Sequence, residues 1–196
     1  MKKLFRYAGA LLLCCFVFCQ GAAAEQGMDA SQPAVRQEVG IVLLGNSRYL
    51  EPEYQDILNR YFVRCYSQYR YPTEFGADMQ QKFAAACEPG MGSRKAEAAS
   101  VEDLTALVKK LDKEQLLLLR VDDVVRRKQR SLGWPFGSEN TWEAVVEVKA
   151  VLVNREGIVR EEKIMKWADE QYTPDRALLE AYTGCIRSLQ QQKIFP

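Results

Sequence analysis

Alternating runs of apolar and polar positions divide the chain into segments typical of strands and helices. Residues 38–44 are a compact, β-branched apolar run that ends at Gly45-Asn46-Ser47, which predicts a buried strand. After Pro52, apolar residues recur at helical spacing as far as Cys65 and predict a helix. Residues 66–72 are aromatic and are expected to hold a short second strand, and residues 76–87 are expected to form a second helix.

The second half of the chain is richer in strand patterns. Ser100 and Asp103 have the spacing of a capping box, which predicts the start of a third helix. Residues 115–127 form a strand whose first part, Leu116–Leu119, is apolar throughout and is therefore expected to be covered on both faces. Residues 128–141 are expected to form a loop. Two alternating strands, 142–153 and 158–167, flank a turn, and Thr173 caps a last helix.

Helices are frequent early in this order and antiparallel strands are frequent late. The pattern predicts an α+β protein in which a single domain contains a mixed, mostly antiparallel sheet with helices packed on it. No internal repeat is present. No segment after residue 37 has the length and composition of a linker between two domains.

The first 24 residues have the composition of a secretory signal peptide. Cations at Lys2, Lys3 and Arg6 precede an apolar run, and Ala22-Ala23-Ala24 offers a cleavage site. We expect residues 1–24 to be removed, residues 25–37 to form a flexible lead-in and residues 38–196 to form the domain. The chain is then periplasmic or secreted, with no transmembrane segment in its mature part. A lipoprotein signal fits less well, because no small residue precedes the leader cysteines.

Removing this leader changes the chemistry of the remaining chain. The full chain has 27 Lys and Arg against 26 Asp and Glu; without the three leader cations its net charge changes from +1 to −2. A nearly neutral domain has no overall field that attracts nucleic acid, so we expect no nucleic-acid partner. The chain contains no histidine, which excludes Ser-His-Asp and Cys-His catalysis and histidine-ligated zinc.

Three cysteines remain after cleavage: Cys65, Cys87 and Cys185. They allow one disulfide at most, and three pairings are possible. Cys65 and Cys185 lie on the apolar faces of predicted helices and are expected to be buried, whereas Cys87 is expected to be more exposed. No Cys-x-x-Cys motif is present to form a redox centre or a zinc ribbon.

The order of elements resembles bacterial envelope domains of the curli-secretion subunit, the penicillin-binding-protein activator and the TolB N-terminal type. The resemblance rests on the opening strand that ends at Gly45-Asn46, on the helix running into the strand at 115–121, and on the hairpin at 151–159. Asn154 and Glu156 replace residues that are more usual in that hairpin. The resemblance implies a non-catalytic adaptor, activator or pore subunit and assigns no functional residue.

The most specific candidate binding site is the loop that contains Leu132, Trp134 and Phe136, where two aromatic residues flank Pro135 between glycines. Exposed aromatic residues on a preorganised loop are typical anchors for a partner. The alternative is that they fold back over the end of the sheet. Arg126, Arg127 and Arg130 precede this loop and offer an anion-binding surface. A simpler interpretation of them is a solvated strand end that pairs with Glu143 and Glu147.

No set of residues predicts a catalytic or metal centre. Asp122 and Asp123 are adjacent in a predicted strand, so their carboxylates point to opposite faces and cannot serve one site. We therefore expect a non-catalytic envelope binding or adaptor protein, without a cofactor, whose partner is an envelope protein or a second copy of the chain. The alternatives are an enzyme that uses carboxylate or lysine chemistry on cell-wall material and a small-ligand-binding domain.

Overall fold

A computed structural model describes residues 36–87, 100–133 and 137–195. In chain order its strands and helices are β1 (Val39–Gly45), α1 (Pro52–Tyr61), β2 (Thr73–Glu74), α2 (Ala77–Ala86), α3 (Val101–Lys110), β3 (Gln115–Gly133), β4 (Gly137–Asn154), β5 (Ile158–Glu170) and α4 (Pro174–Gln191). Two short 3-10 turns, Ser47–Leu50 and Val63–Cys65, flank α1. None of the helices in these ranges is long and apolar enough to cross a membrane.

The strands form one mixed sheet in the order β2-β1-β3-β4-β5. β1 is parallel to both of its neighbours, whereas β3, β4 and β5 form an antiparallel meander with much longer pairings. The predicted fold class, a single α+β domain with helices packed on a mixed sheet, is confirmed.

Helices cover both faces of the sheet at its centre. Leu117 and Leu119 belong to the larger core, beneath α1 and α4, whereas Leu116 and Leu118 belong to a second core beneath α2 and α3. All four leucines are buried, as their unbroken apolar run predicts. On the side of α2 and α3, the second core reaches only as far as the beginning of β3 and the end of β4.

Two helix starts form as their sequences predict. The Ser100 hydroxyl accepts a hydrogen bond from the backbone N–H of Asp103, and the Asp103 carboxylate accepts one from the N–H of Ser100, which completes a capping box. The Thr173 hydroxyl accepts a hydrogen bond from the N–H of Arg176 at the start of α4. Each cap satisfies backbone donors that the first helical turn leaves without a partner.

The prediction of a loop at residues 128–141 is wrong for most of that stretch. β3 continues to Gly133 and β4 begins at Gly137, and the two strands remain paired along this stretch, with Lys128 opposite Thr141. Its described side chains at Lys128, Gln129 and Asn140 are exposed. Backbone pairing holds such a ribbon together without the apolar alternation that marks a strand in the sequence.

The expectation for the region around Cys65 also needs correction. α1 ends at Tyr61, because Phe62 leaves the helical conformation with φ −127° and ψ −67°. This bend buries the side chains of Phe62 and Val63 and leaves Cys65 exposed in a 3-10 turn. The short second strand lies just after the expected segment, at Thr73–Glu74.

The end of the chain packs into an aromatic cluster. The ring centroid of Phe195 lies 5.6 Å from that of Phe62, 4.5 Å from that of Tyr66 and 5.4 Å from that of Tyr71. The backbone N–H of Ile194 donates a hydrogen bond to the Tyr66 hydroxyl at 3.2 Å. The segment after α4 therefore packs against the region between α1 and β2.

Candidate functional site

The loop predicted to bind a partner can be described only in part. Trp134 and Phe136 lie outside the described residues, and so do the side chains of Leu132 and Arg130. The backbone around them places the loop at the tip of the long β3–β4 hairpin. The binding role of Leu132, Trp134 and Phe136 stays a prediction.

The basic run before this loop divides between the two faces of the sheet. Arg126 and Lys128 both reach Glu143 on β4, Lys128 at 3.6 Å. The hydrogen bond from the Arg126 guanidinium holds the pKa of the Glu143 carboxyl below its usual range. Arg127 points to the opposite face, where its guanidinium lies 6.0 Å from the ring centroid of Trp142. Arg126 therefore pairs across the hairpin as expected, and the anion-binding role of Arg126, Arg127 and Arg130 stays a prediction.

A row of apolar side chains crosses the sheet next to these ion pairs. Val124 on β3 lies opposite Val145 on β4, and Val145 lies opposite Trp167 on β5, so all three share one face. Val124 is 64% exposed and Trp167 is 72% exposed, and Met165, two residues before Trp167, is 56% exposed. We call the surface formed by Val124, Val145, Met165 and Trp167 the open face.

Among the described residues, the helices on that side of the sheet cover only one end of it. α2 and α3 pack on Leu116, Leu118 and Val153, at the other end of the same face. α1 and α4 pack on the opposite face of the sheet. A tryptophan that would otherwise belong in a core therefore remains in contact with solvent.

Charged side chains of both signs border the open face. Lys163 pairs with Glu147 at 2.9 Å, and Arg120 pairs with Asp122 at 2.7 Å. Arg126 and Lys128 share Glu143, and Asp169 lies opposite Glu143, so the polar rim has no excess of either sign. An apolar centre with a polar rim is the usual anatomy of a protein-binding surface.

A cleft of about 510 Å³ lies along β5 beside α4. β5 contributes Lys166, Trp167 and Glu170, and α4 contributes residues that include Glu180, Gly184 and Arg187. A Cβ atom at Gly184 would lie 3.3 Å from Cγ of Lys166, so the glycine lets the helix approach the strand closely. The cleft thus presents charges of both signs next to the open face.

The remaining candidate groups are separate from one another. Asp122 and Asp123 point to opposite faces, as expected: Asp122 pairs with Arg120, and Asp123 lies 3.8 Å from Arg48. Within the described ranges, no group of three or more Cys, Asp or Glu residues is arranged to hold a metal ion.

The three cysteines of the described chain are free thiols in different surroundings. Cys185 lies on α4 and is buried against the sheet, as predicted, and burial raises the pKa of its thiol to about 11. Cys87 is half-buried, and Cys65 is exposed, contrary to expectation. The predicted limit of one disulfide among Cys65, Cys87 and Cys185 stays a prediction.

Sequence reasoning missed the exposed surface that Trp167 and Met165 form. The alternation of β5 does place them on one face with Glu161, Lys163 and Asp169, and an aromatic residue on such a charged face signals exposure. The α4 side of the cleft carries no comparable signal, because Glu180 and Arg187 resemble any solvated helix face.

A comparison with solved structures found matches of low sequence identity. A lipoprotein from Neisseria meningitidis is 13% identical, with 81% of this chain and 97% of that chain covered and a TM-score of 0.44. A homolog of neuraminyllactose-binding hemagglutinin from Helicobacter pylori is 12% identical, with 82% of each chain covered and a TM-score of 0.43. Neither description names the curli-secretion, penicillin-binding-protein activator or TolB types that the sequence resembles. No protein-family model and no curated protein matches the chain.

Proposed function

We propose that this chain is a non-catalytic binding protein of the bacterial cell envelope, and that it holds another protein at the open face. The observation that carries the proposal is the row of Val124, Val145 and Trp167. Trp167 leaves 72% of its surface in solvent on a strand whose backbone is held by its neighbour. Tryptophan on a rigid support is the side chain most often found at the energetic centre of an interface.

The charges around the row favour a protein over a membrane or a nucleic acid. Lipid headgroups and nucleic acids need an excess of cations. Here Arg126 is neutralised by Glu143, and Lys163 by Glu147. A rim of alternating charges instead matches the mixed polar surface of another protein and selects its orientation.

Two further sequence features, the leader-like start and the loop at the hairpin tip, bear on where the protein acts and how it contacts its partner. The leader-like start of the sequence supports a periplasmic or secreted location. The loop with Leu132, Trp134 and Phe136 lies at the end of the same hairpin that carries Val124. We infer that it makes a second contact with the same partner.

A matched set of variants tests the binding surface. Val124→Ser and Trp167→Ser each remove an exposed apolar side chain from the open face, and Tyr69→Ser removes one that is 79% exposed elsewhere. All three should melt close to the wild-type temperature, because exposed side chains contribute little to stability. Purification from envelope extracts should lose the bound partner with the first two variants and keep it with Tyr69→Ser. Equal retention by all three would contradict the proposal.

A further inference from the structure

We infer that the chain forms a twofold dimer in which the β5 strands of two copies pair edge to edge. β5 is a 13-residue strand at the end of the sheet, and no strand of the described residues pairs with its outer edge. Such an edge presents backbone donors and acceptors to any second strand. This inference concerns the edge of the sheet, so it does not depend on the role of the open face.

The charges along β5 indicate that the strand that pairs with its outer edge is β5 of a second copy. When two copies pair antiparallel about a twofold axis at Ile164, Glu162 of each copy lies opposite Lys166 of the other. Both side chains project towards the α4 side of the sheet, on the same face as Ile164. The pairing places no two like charges opposite each other along the strand. Glu161 lies opposite Trp167, and Lys163 lies opposite Met165.

Each neighbouring register sets like charges opposite each other, although an axis at Met165 also sets Arg160 opposite Glu170. Moving the axis to Lys163 places Arg160 opposite Lys166 and sets Lys163 opposite itself. Moving it to Met165 places Glu161 opposite Asp169. An axis at Glu162 or Lys166 sets that residue opposite its own copy. Because like charges directly opposite are destabilising, the register about Ile164 is favoured: it pairs all 13 residues of β5 and sets no like charges opposite each other.

The cleft beside α4 has the room and the charges for this arrangement. In the register about Ile164, Glu162 and Arg160 of the second strand lie along Lys166–Glu170, where the cleft is. Lys166 forms no ion pair within the described residues, and Gly184 of α4 lies against its stem. The incoming Glu162, which pairs with Arg160 of its own copy at 2.9 Å, also meets Lys166, and that incoming Arg160 lies near Glu170 and Glu180. The cleft therefore offers a partner of opposite sign to each incoming charge.

Dimer formation would join the two open faces. A twofold axis perpendicular to the sheet keeps the same face of both copies on the same side, so both Trp167 residues lie on one ten-stranded surface. In this dimer the diagonal neighbour of Trp167 is Lys163 of the other copy, within reach of a cation–π contact. The dimer is therefore a two-site surface for one extended partner or for two identical ones.

Charge reversal with complementation tests the dimer and its register. The mature chain should sediment as a dimer at micromolar concentration. Glu162→Lys places lysine opposite lysine at both contacts, and Lys166→Glu places glutamate opposite glutamate. Each variant alone should weaken the dimer about 10- to 100-fold. An equimolar mixture of the two restores both Lys–Glu contacts and should sediment as a heterodimer.

Two controls separate this outcome from misfolding and from the open face. Glu156→Lys makes the same charge change in the β4–β5 turn and should leave the dimer intact. Val124→Ser changes the open face, three strands from the axis, and should also leave it intact. A wild-type chain that still sediments as a monomer at about 100 times this micromolar concentration would overturn the inference. So would single variants that still dimerise, or a mixture of variants that stays monomeric.

Discussion

Phe195 should contribute more to stability than its place near the end of the chain indicates. It is 4% exposed and its ring contacts those of Phe62, Tyr66 and Tyr71. Truncating a buried phenylalanine to alanine usually costs about 3–5 kcal/mol. We expect Phe195→Ala to lose about 3 kcal/mol, at the low end of that range.

Urea unfolding followed by far-ultraviolet circular dichroism measures this loss. Phe195→Leu keeps part of the apolar volume and should lose about 1.5 kcal/mol. Tyr172→Ala, at a side chain that is 73% exposed, should stay within about 0.5 kcal/mol of wild type. A loss below about 1 kcal/mol for Phe195→Ala, with an unchanged dependence on urea, would refute the packing of the C-terminal segment described above.

Three further outcomes follow from the structure. Gly45 has φ +120°, and a Cβ atom there would lie 2.4 Å from the Val121 carbonyl oxygen. Gly45→Ala should therefore lower the free energy of unfolding in urea by at least about 2 kcal/mol. The loss should exceed that of Gly76→Ala, where nothing lies within 4 Å of the added Cβ, and equal losses would contradict this. In the folded protein a thiol reagent at pH 8 should label Cys65 rapidly and Cys185 only after denaturation, and rapid labelling of Cys185 would be inconsistent with its burial. Burial raises the pKa of the Cys185 thiol to about 11 and also raises the pKa of the Tyr182 hydroxyl. As the pH rises, both groups lose their protons in the unfolded chain before they do so in the folded protein, so the free energy of unfolding should fall above about pH 9. A constant free energy of unfolding from pH 8 to pH 11 would exclude this linkage.

Local patterns in the sequence predicted the parts of the fold that depend on neighbouring residues. The capping box at Ser100 and the buried run Leu116–Leu119 formed as expected, because both signals are short-range or follow from burial on two faces. The β3–β4 hairpin beyond Arg127 was missed because an exposed two-stranded ribbon needs no apolar face. Its pairing depends on backbone hydrogen bonds, which every sequence can form.

The exposure of the candidate site depends on contacts between residues that are far apart in the chain, and local sequence patterns do not reveal those contacts. Trp167 is exposed because α2 and α3 cover only the other end of its face, and no local pattern near β5 records where those helices lie. Cys65 is exposed because the chain bends at Phe62, although the spacing of apolar residues continues the helix. Pairing of Arg126 with Glu143 was foreseeable, since residues opposite each other across a hairpin share a face.

Site-specific photocrosslinking at Val124 tests the proposed function most directly. A photoreactive phenylalanine analogue replaces Val124 in the full chain, and a matched chain carries it at Tyr69, which is also exposed. After irradiation of growing cells, mass spectrometry identifies the adducts. A protein adduct formed through position 124, absent from position 69 and lost when Trp167→Ser is added, is the result that the account predicts. No protein adduct at position 124, or the same adducts at both positions, would contradict it.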